Sequence, residues 1–143
     1  MDEHNVREIL EIILDKVQDR KCIWRLEGSA NLKMQGVDVS IRDLDITTND
    51  AGIEFFRHAL EKFISKDCFS HKINGHTLVC YINGFEVEIN SYSNKELEMF
   101  ERTKKILWRG LWVPILPLEH AKKFYELINR KEKVELISEH LQK

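Results

Sequence analysis

The sequence has little of the residues that cross-link, kink or loosen a chain. Its 143 residues include three cysteines, two prolines and six glycines, and the formal net charge is −2. Cys22, Cys68 and Cys80 are odd in number and lack a C-x-x-C spacing, so they predict buried free thiols rather than disulfides or a zinc site. The near-neutral charge argues against a broad nucleic-acid-binding surface.

Long apolar runs are also absent. No segment approaches the roughly 20 residues that cross a bilayer. The N-terminus, M-D-E-H-N, is polar and acidic where a signal peptide would be basic and then apolar. We therefore expect a cytoplasmic protein that does not contact a membrane.

The composition is that of a folded protein with its own core. Apolar residues make up 43% of the chain and charged residues 32%, and no repeat or linker interrupts it. We expect one domain over residues 1–143, divided into residues 1–94 and a helical C-terminal part over residues 95–143. The first part carries 11 basic and 16 acidic side chains (net −5) and the second carries 11 and 8 (net +3), so the C-terminal part could face an anion.

Hydrophobic spacing and turn residues predict an α+β fold. The dipeptides Asn74-Gly75 and Asn83-Gly84 predict two hairpin turns and hence a three-stranded meander. Predicted strands cover residues 21–26, 42–47, 68–73, 76–82 and 85–91, with a short extended piece over 112–116. Predicted helices cover residues 5–19, 29–35, 95–107 and 133–141, one capped by Asn49 or Asp50 with an apolar stripe to Ile64, and one from Pro117 to Ile128.

Two aspartates on the second predicted strand stand out. Alternate side chains of a strand point to opposite faces, so Asp43 and Asp45 share a face while Leu44 enters the core. Two unpaired like charges would repel each other. A hard divalent cation such as Mg²⁺, which binds oxygen ligands, would relieve this repulsion.

A further carboxylate could come from the last strand of the meander. There Phe85, Val87 and Ile89 alternate with polar residues, so Glu86 and Glu88 face away from the core. Either glutamate could complete a metal site beside Asp43 and Asp45, and a solvated strand face is the alternative interpretation.

The order of these motifs resembles the nucleotidyltransferase superfamily, which shares the DNA polymerase β-like fold. The matching elements are Gly28-Ser29 after a strand, the Asp43-Leu44-Asp45 triplet, and Val87-Glu88-Ile89 on a later strand. The segment V-P-I-L-P-L-E-H-A-K-K-F-Y-E-L-I-N-R-K-E-K is similar to the helical end of minimal prokaryotic members. The resemblance implies a mixed sheet of about five strands with helices packed on one face, followed by C-terminal helices, with the catalytic core in residues 1–94.

The resemblance also implies roles for these residues. Asp43, Asp45 and Glu88 would be catalytic and would bind Mg²⁺ (or Mn²⁺), with two ions expected. Glu88 departs from the aspartate of many relatives, and Glu86 could replace it. Gly28 and Ser29 would bind the triphosphate of an NTP such as ATP. Of eight basic residues that could add phosphate contacts, Arg130 and Lys131 are favoured because they fall in the similar C-terminal segment; the full set is Lys33, Arg42, Lys104, Lys105, Arg109, Arg130, Lys131 and Lys133.

The implied reaction transfers a nucleoside monophosphate from an NTP to a hydroxyl-bearing acceptor and releases pyrophosphate. The acceptor could be a small molecule, a protein or an RNA, and the chain could form a homodimer or bind a partner protein. A different hypothesis is a catalytically inactive nucleotide-binding or regulatory module, as in one half of a toxin-antitoxin-like pair. Glu27 occupies the position before Gly28, where relatives commonly have glycine. An acid beside a phosphate site is unfavourable unless its side chain turns away.

Overall fold

A computed structural model describes residues 1–17 and 21–143. Its main element is a mixed five-stranded sheet, and helices pack against the sheet. The strands are β1 Trp24–Glu27, β2 Leu44–Thr48, β3 Ile64–Ser70, β4 Gly75–Ile82, β5 Phe85–Ser91, β6 Lys104–Trp108 and β7 Leu111–Ile115. The α-helices are α1 Glu3–Val17, α2 Gly28–Met34, α3 Asp50–Ala59, α4 Lys95–Glu98, α5 Leu118–Leu127 and α6 Lys131–Leu141.

The sheet order is β1-β2-β5-β4-β3, and only the β2 and β5 pair is parallel. The parallel pairing follows from the long connection between β2 and β5, whereas tight turns allow antiparallel hairpins in the meander. Asn83 and Gly84 have positive φ angles of 53° and 82°, as the turn predicted from that dipeptide requires. The other predicted turn is displaced: Ser70 pairs with Gly75, which is already the first residue of β4, so residues 71–74 form the turn. The predicted α+β fold with about five strands is confirmed.

Strand alternation separates an apolar face of the sheet from a polar one. Leu44, Ile46, Val87 and Ile89 are buried in one core cluster with the apolar stripe of α1 and with Phe56 of α3. The residues between them, at positions 45, 47, 88 and 90, are polar. Because burying the apolar side chains stabilises the sheet by roughly 25 cal/mol per Å² of area removed from water, the core fixes which face the carboxylates occupy.

A second apolar cluster joins α2 to the C-terminal helices. Its buried residues include Leu32 of α2, Phe124 and Tyr125 of α5, and Ile137 of α6. Asn31 strengthens this connection, since its buried side-chain amide donates to the Leu116 carbonyl at 3.1 Å. The C-terminal helices therefore pack beside the end of β1, where α2 begins.

The predicted helix over residues 95–107 is wrong. Only Lys95–Glu98 is α-helical; a 3₁₀ turn follows at Phe100–Arg102, and β6 begins at Lys104. Met99 ends the helix with a left-handed backbone (φ 43°). The predicted extended piece over residues 112–116 is present as β7, which pairs with β6 through an Arg109-Gly110 turn. The spacing of apolar residues predicted a helix here, but residues 104–108 form a strand because they pair with β7.

Several boundaries also differ from the predictions. The first strand begins at Trp24 instead of residue 21, and the first strand of the meander is Ile64–Ser70 instead of residues 68–73. The predicted end of α1, residues 18 and 19, lies outside the described part of the chain. Within the described ranges, no helix is both long and apolar enough to cross a membrane.

Candidate active site

A cavity of about 930 Å³ lies over the polar face of the sheet, and we call it the polar pocket. Its walls come from the sheet, from the loop before β2, from the β3–β4 turn and from the start of α6. Acidic and basic side chains both line it. The charged residues of its wall are Glu27, Arg42, Asp43, Asp45, Lys72, Glu88, Arg130 and Lys133.

Three carboxylates form a row across the sheet in this pocket. Asp45 of β2 is the register partner of Glu27 in β1 and of Glu88 in β5. Residues opposite each other on adjacent strands place their side chains on the same face, with Cβ atoms roughly 4.5–5.5 Å apart. Asp43 lies in the bend before β2 and also lines the pocket.

This concentration of negative charge acts on Asp45. Burial, together with the charges of Asp43, Glu88 and Glu27, raises the pKa of Asp45 to about 7, and the charge of Lys133 partly opposes this shift. A bound cation would favour the ionised form and offset the repulsion. The oxygen-only ligand set suits a hard divalent ion.

The carboxylates do not form a closed metal cage. Across residues 1–17 and 21–143, no group of three or more His, Cys, Asp or Glu side chains is arranged to hold a metal ion. Mg²⁺ is usually bound in proteins by one or two carboxylates together with waters and substrate phosphates. The open pairing of Asp45 with Glu88, and the adjacent Asp43, agrees with that mode of binding.

Glu88, rather than Glu86, lies in the polar pocket. Its Oε1 accepts a hydrogen bond from Asn90 Nδ2 at 3.2 Å, and Asn90 Oδ1 in turn accepts one from Thr77 Oγ1 at 2.8 Å. Glu86 is absent from the pocket wall and instead accepts a hydrogen bond from Tyr81 Oη at 3.3 Å. The structure therefore separates the two glutamates by location.

Gly28 makes the turn from β1 into α2. Its φ angle of 68° is in the left-handed region, and a Cβ at this position would collide with Asp45 Oδ2. Glycine satisfies both the backbone angle and the close approach. Gly28 thus brings a backbone segment directly against the carboxylate of Asp45.

Ser29, next to Gly28, is connected to the last helix. Lys133 Nζ donates to Ser29 Oγ at 3.0 Å. Burial lowers the pKa of Lys133, and Arg130 lowers it further, whereas the charge of Asp45 raises it. This half-buried ammonium group therefore contacts the residue after Gly28 and interacts with the charge of Asp45.

Of the two basic residues that the resemblance favoured, the pocket contains Arg130 but not Lys131. Arg130 Nε donates to Glu132 Oε1 at 2.6 Å, and Lys131 is exposed. Lys133 was only one of eight basic candidates in the sequence. Its position one helical turn after Arg130 is the signal that could have selected it.

Glu27 is the acid next to Gly28 whose charge is unfavourable beside a phosphate site. It is 4% exposed, and its Oε1 accepts hydrogen bonds from Arg25 Nε at 2.9 Å and Thr47 Oγ1 at 3.0 Å. Arg25 is fully buried and also donates to the Leu97 carbonyl at 3.1 Å. The buried guanidinium group of Arg25 therefore offsets the charge of Glu27. The two residues are at i and i+2 on one strand face, and their pairing was not predicted from the sequence.

Sequence comparison agrees with this arrangement. The profile of the aminoglycoside-2''-adenylyltransferase family matches residues 9–137, which include the strand, turn and helix residues of the pocket. The chain belongs to this family. It is therefore a nucleotidyltransferase, as its resemblance to that superfamily predicted.

Solved structures support the same fold for this family member. A Thermotoga maritima protein assigned to the nucleotidyltransferases is 25% identical with a TM-score of 0.79; the match covers 99% of this chain and 96% of the other. The antibiotic-resistance factor ANT(2'')-Ia is 11% identical (TM-score 0.63; coverage 99% and 86%). An antigenic nucleotidyltransferase-like protein from Paracoccidioides brasiliensis is 12% identical (TM-score 0.61; coverage 96% and 75%). Among curated proteins, none matches the chain significantly.

Proposed function

We propose that the chain transfers a nucleoside monophosphate from an NTP to a hydroxyl-bearing acceptor in a reaction that depends on Mg²⁺ or Mn²⁺. One observation carries this proposal: Asp45 lies opposite Glu88 on the neighbouring strand and is also in close contact with Gly28. A phosphate-binding turn and metal-binding carboxylates must be adjacent for nucleotidyl transfer, because both act on the same triphosphate.

Asp43, Asp45 and Glu88 would hold the divalent ions, of which we expect two. The fit rests on the charge of the pocket, since burial and three neighbouring acids raise the pKa of Asp45 to about 7. Bound there, the ions would neutralise and align the triphosphate oxygens. Glu27 would contribute less, because its Oε1 is engaged by Arg25 and Thr47.

The basic side of the pocket would hold the triphosphate. The Gly28 backbone can approach a phosphate without an intervening side chain, and the Ser29 hydroxyl and the Lys133 ammonium group lie together beside it. Arg130 would add a second positive charge from the start of α6. Charge-assisted hydrogen bonds of this kind are the stronger ones in proteins.

In the reaction, the acceptor oxygen would attack the α-phosphorus as the bond to the β-phosphate oxygen breaks and pyrophosphate leaves. Glu88 would receive the proton of the acceptor hydroxyl. Holding the NTP and the acceptor in line provides much of the rate enhancement in such reactions. The few side chains in the pocket are sufficient for this positioning.

Transfer of label tests the proposal. The protein, Mg²⁺ and each NTP labelled at the α-phosphate would be incubated with a lysate as the source of acceptor. We expect a labelled product that is lost when Mg²⁺ is chelated and with Asp45→Asn. Transfer from γ-labelled NTP instead, or transfer that persists with Asp45→Asn, would contradict nucleotidyl transfer at this site.

A further inference from the structure

The carboxylate of Glu88 differs from the other two proposed metal ligands in how it is held. Asn90, 6% exposed, donates from Nδ2 to Glu88 Oε1, and Thr77, 8% exposed, donates to Asn90 Oδ1. Among the described residues, the side chains of Asp43 and Asp45 receive no hydrogen bond. Of the three proposed metal ligands, Glu88 is therefore the one held by a side-chain hydrogen bond within the described ranges.

Register explains why these three residues meet. Thr77 of β4 and Asn90 of β5 are directly opposite each other in the antiparallel ladder, so their side chains share a face and come within hydrogen-bonding distance. Asn90 and Glu88 are two positions apart on the same strand and point to the same face. The chain of hydrogen bonds thus runs along the polar face of the sheet to the polar pocket.

Chemistry determines the direction of each hydrogen bond. An ionised carboxylate can only accept, so the Asn90 amide must turn its nitrogen toward Glu88. Its oxygen then faces Thr77, whose hydroxyl must donate. The reverse orientation of the amide would place two acceptor oxygens against each other. The Glu88 carboxylate therefore sets the orientation of the Asn90 amide, and the Thr77 hydroxyl, which can donate or accept, anchors the amide in that orientation by donating to Oδ1.

We propose that Thr77 and Asn90 are positioning residues that hold Glu88 with Oε1 engaged and Oε2 available to the metal and the acceptor. This inference rests on the proposed function. Residues that orient a metal ligand by hydrogen bonding typically change metal affinity or activity by roughly 10- to 100-fold when they are replaced. Both residues line the polar pocket, and the role proposed for them is exerted through Glu88.

Replacement of Thr77 gives the cleanest test. Thr77→Val keeps the shape of the side chain and removes only the donor, and Asn90→Ala removes the whole connection. Mn²⁺ binding in the presence of a non-hydrolysable ATP analogue, followed by electron paramagnetic resonance, gives a readout that does not depend on turnover. We expect Mn²⁺ affinity to fall about 10-fold with Asn90→Ala and about threefold with Thr77→Val. Turnover should fall with little change in the KM for ATP.

Thr47→Val is the matched control. Thr47, 2% exposed, is also buried on the same sheet face and, like Thr77, lines the polar pocket, but its hydroxyl donates to Glu27 instead of to Asn90. We expect a similar loss of unfolding free energy, about 1 kcal/mol, with Mn²⁺ affinity within about twofold of the unchanged protein. Equal losses of Mn²⁺ affinity in Thr47→Val and Thr77→Val would show a general effect of lost stability and would overturn the inference.

Glu88→Gln separates this inference from the proposed function. If the unchanged protein binds Mn²⁺ with nucleotide and Glu88→Gln weakens that binding, but Thr77→Val and Asn90→Ala do not, the positioning role is wrong and the proposed function remains. If the unchanged protein shows no Mn²⁺ binding with nucleotide, or Glu88→Gln leaves it unaltered, the proposed role of Glu88 fails and the positioning inference fails with it.

Discussion

At the scale of single residues, Gly28 is where backbone geometry and the proposed chemistry meet. Its left-handed φ angle of 68° disfavours any side chain, and a Cβ would collide with Asp45 Oδ2. Gly84, in the β4–β5 turn, has a similar φ angle of 82° but open space around the position of a Cβ. Replacing each glycine therefore distinguishes the effect of a strained backbone from the effect of a collision with Asp45.

Replacing each glycine by alanine should give different results. Gly84→Ala should reduce the free energy of unfolding by about 1–2 kcal/mol, the cost of a left-handed backbone. Gly28→Ala should reduce it by a further 1–3 kcal/mol or so, because of the collision, and should abolish Mg²⁺-dependent nucleotide binding by displacing the Asp45 carboxylate. Chemical denaturation and calorimetry measure both quantities. Full nucleotide affinity in a folded Gly28→Ala protein would contradict the contact with Asp45.

Lys133 and Lys131 provide a second comparison of residues. Lys133→Met removes the ammonium group that donates to Ser29 and should weaken ATP binding with Mg²⁺ about 10-fold, the value of a hydrogen bond to a charged group. Lys131→Met changes an exposed residue outside the pocket wall and should stay within about twofold. Calorimetric titration checks both variants. The opposite order of effects would place the triphosphate elsewhere.

At the scale of elements, charged side chains connect α3 to the neighbouring hairpin. Arg57 of α3 forms an ion pair with Asp67 of β3, with 2.6 Å between Nε and Oδ2, and His76 of β4 contacts the same carboxylate. The hydrogen bonds from Arg57 and His76 together lower the pKa of Asp67 to about 2, and burial only partly opposes them. This predicts a pH-dependent contribution to stability.

The sign follows from the lowered pKa. Unfolded Asp67 titrates near pH 4, so its ionised form stabilises the fold above that pH, and the contribution is lost as pH falls from about 4 to about 2. Because the side chain is 32% exposed, we expect Asp67→Asn to reduce the unfolding free energy by only about 0.5–1 kcal/mol at pH 7.

Urea denaturation of Asp67→Asn at pH 7 and at pH 2 measures this contribution. Glu54→Gln is the control, since Glu54 pairs with the same arginine but is 67% exposed, and it should change stability very little. A difference between Asp67→Asn and the unchanged protein that persists at pH 2 would show that ionisation of Asp67 is not its source.

Elements with strong local signals could be predicted from the sequence, and elements that depend on distant partners could not. The Asn83-Gly84 dipeptide determines its own turn, and the meander was predicted, although its first turn covers residues 71–74 and ends before Gly75. Residues 104–108 have a helix-like spacing, and they form a strand because β7 pairs with them. Alternation along each strand predicted that Asp45 and Glu88 face away from the core. That the two residues lie opposite each other could not be predicted, because the register of two strands depends on the assembled sheet.

The same reason explains the contacts that the sequence did not indicate. Lys133 is more than 100 residues from Ser29, and Arg25 is more than 70 from Leu97. Neither pairing has a local signature, because each depends on how α6 and α4 pack beside β1 and α2. The family resemblance predicted the order of the motifs along the chain, and the structure shows which groups contact the motif residues.

At the scale of the whole molecule, the two parts of the chain that differ in net charge meet in one pocket. The first 94 residues provide its carboxylates together with Arg42 and Lys72, and the C-terminal part adds Arg130 and Lys133. An NTP with its divalent ions carries both kinds of charge, as the proposed function requires. Family membership and fold agree with this function.

Calorimetric titration of the protein with ATP, CTP, GTP and UTP, with and without Mg²⁺, tests the central claim most directly. We predict saturable binding of at least one NTP that requires Mg²⁺ and that is weakened at least 10-fold in Asp45→Asn, because that carboxylate lies between the glycine turn and Glu88. Nucleotide binding that is independent of Mg²⁺ and unaltered in Asp45→Asn, or no binding of any NTP, would contradict the assignment of the polar pocket as a nucleotidyl-transfer site.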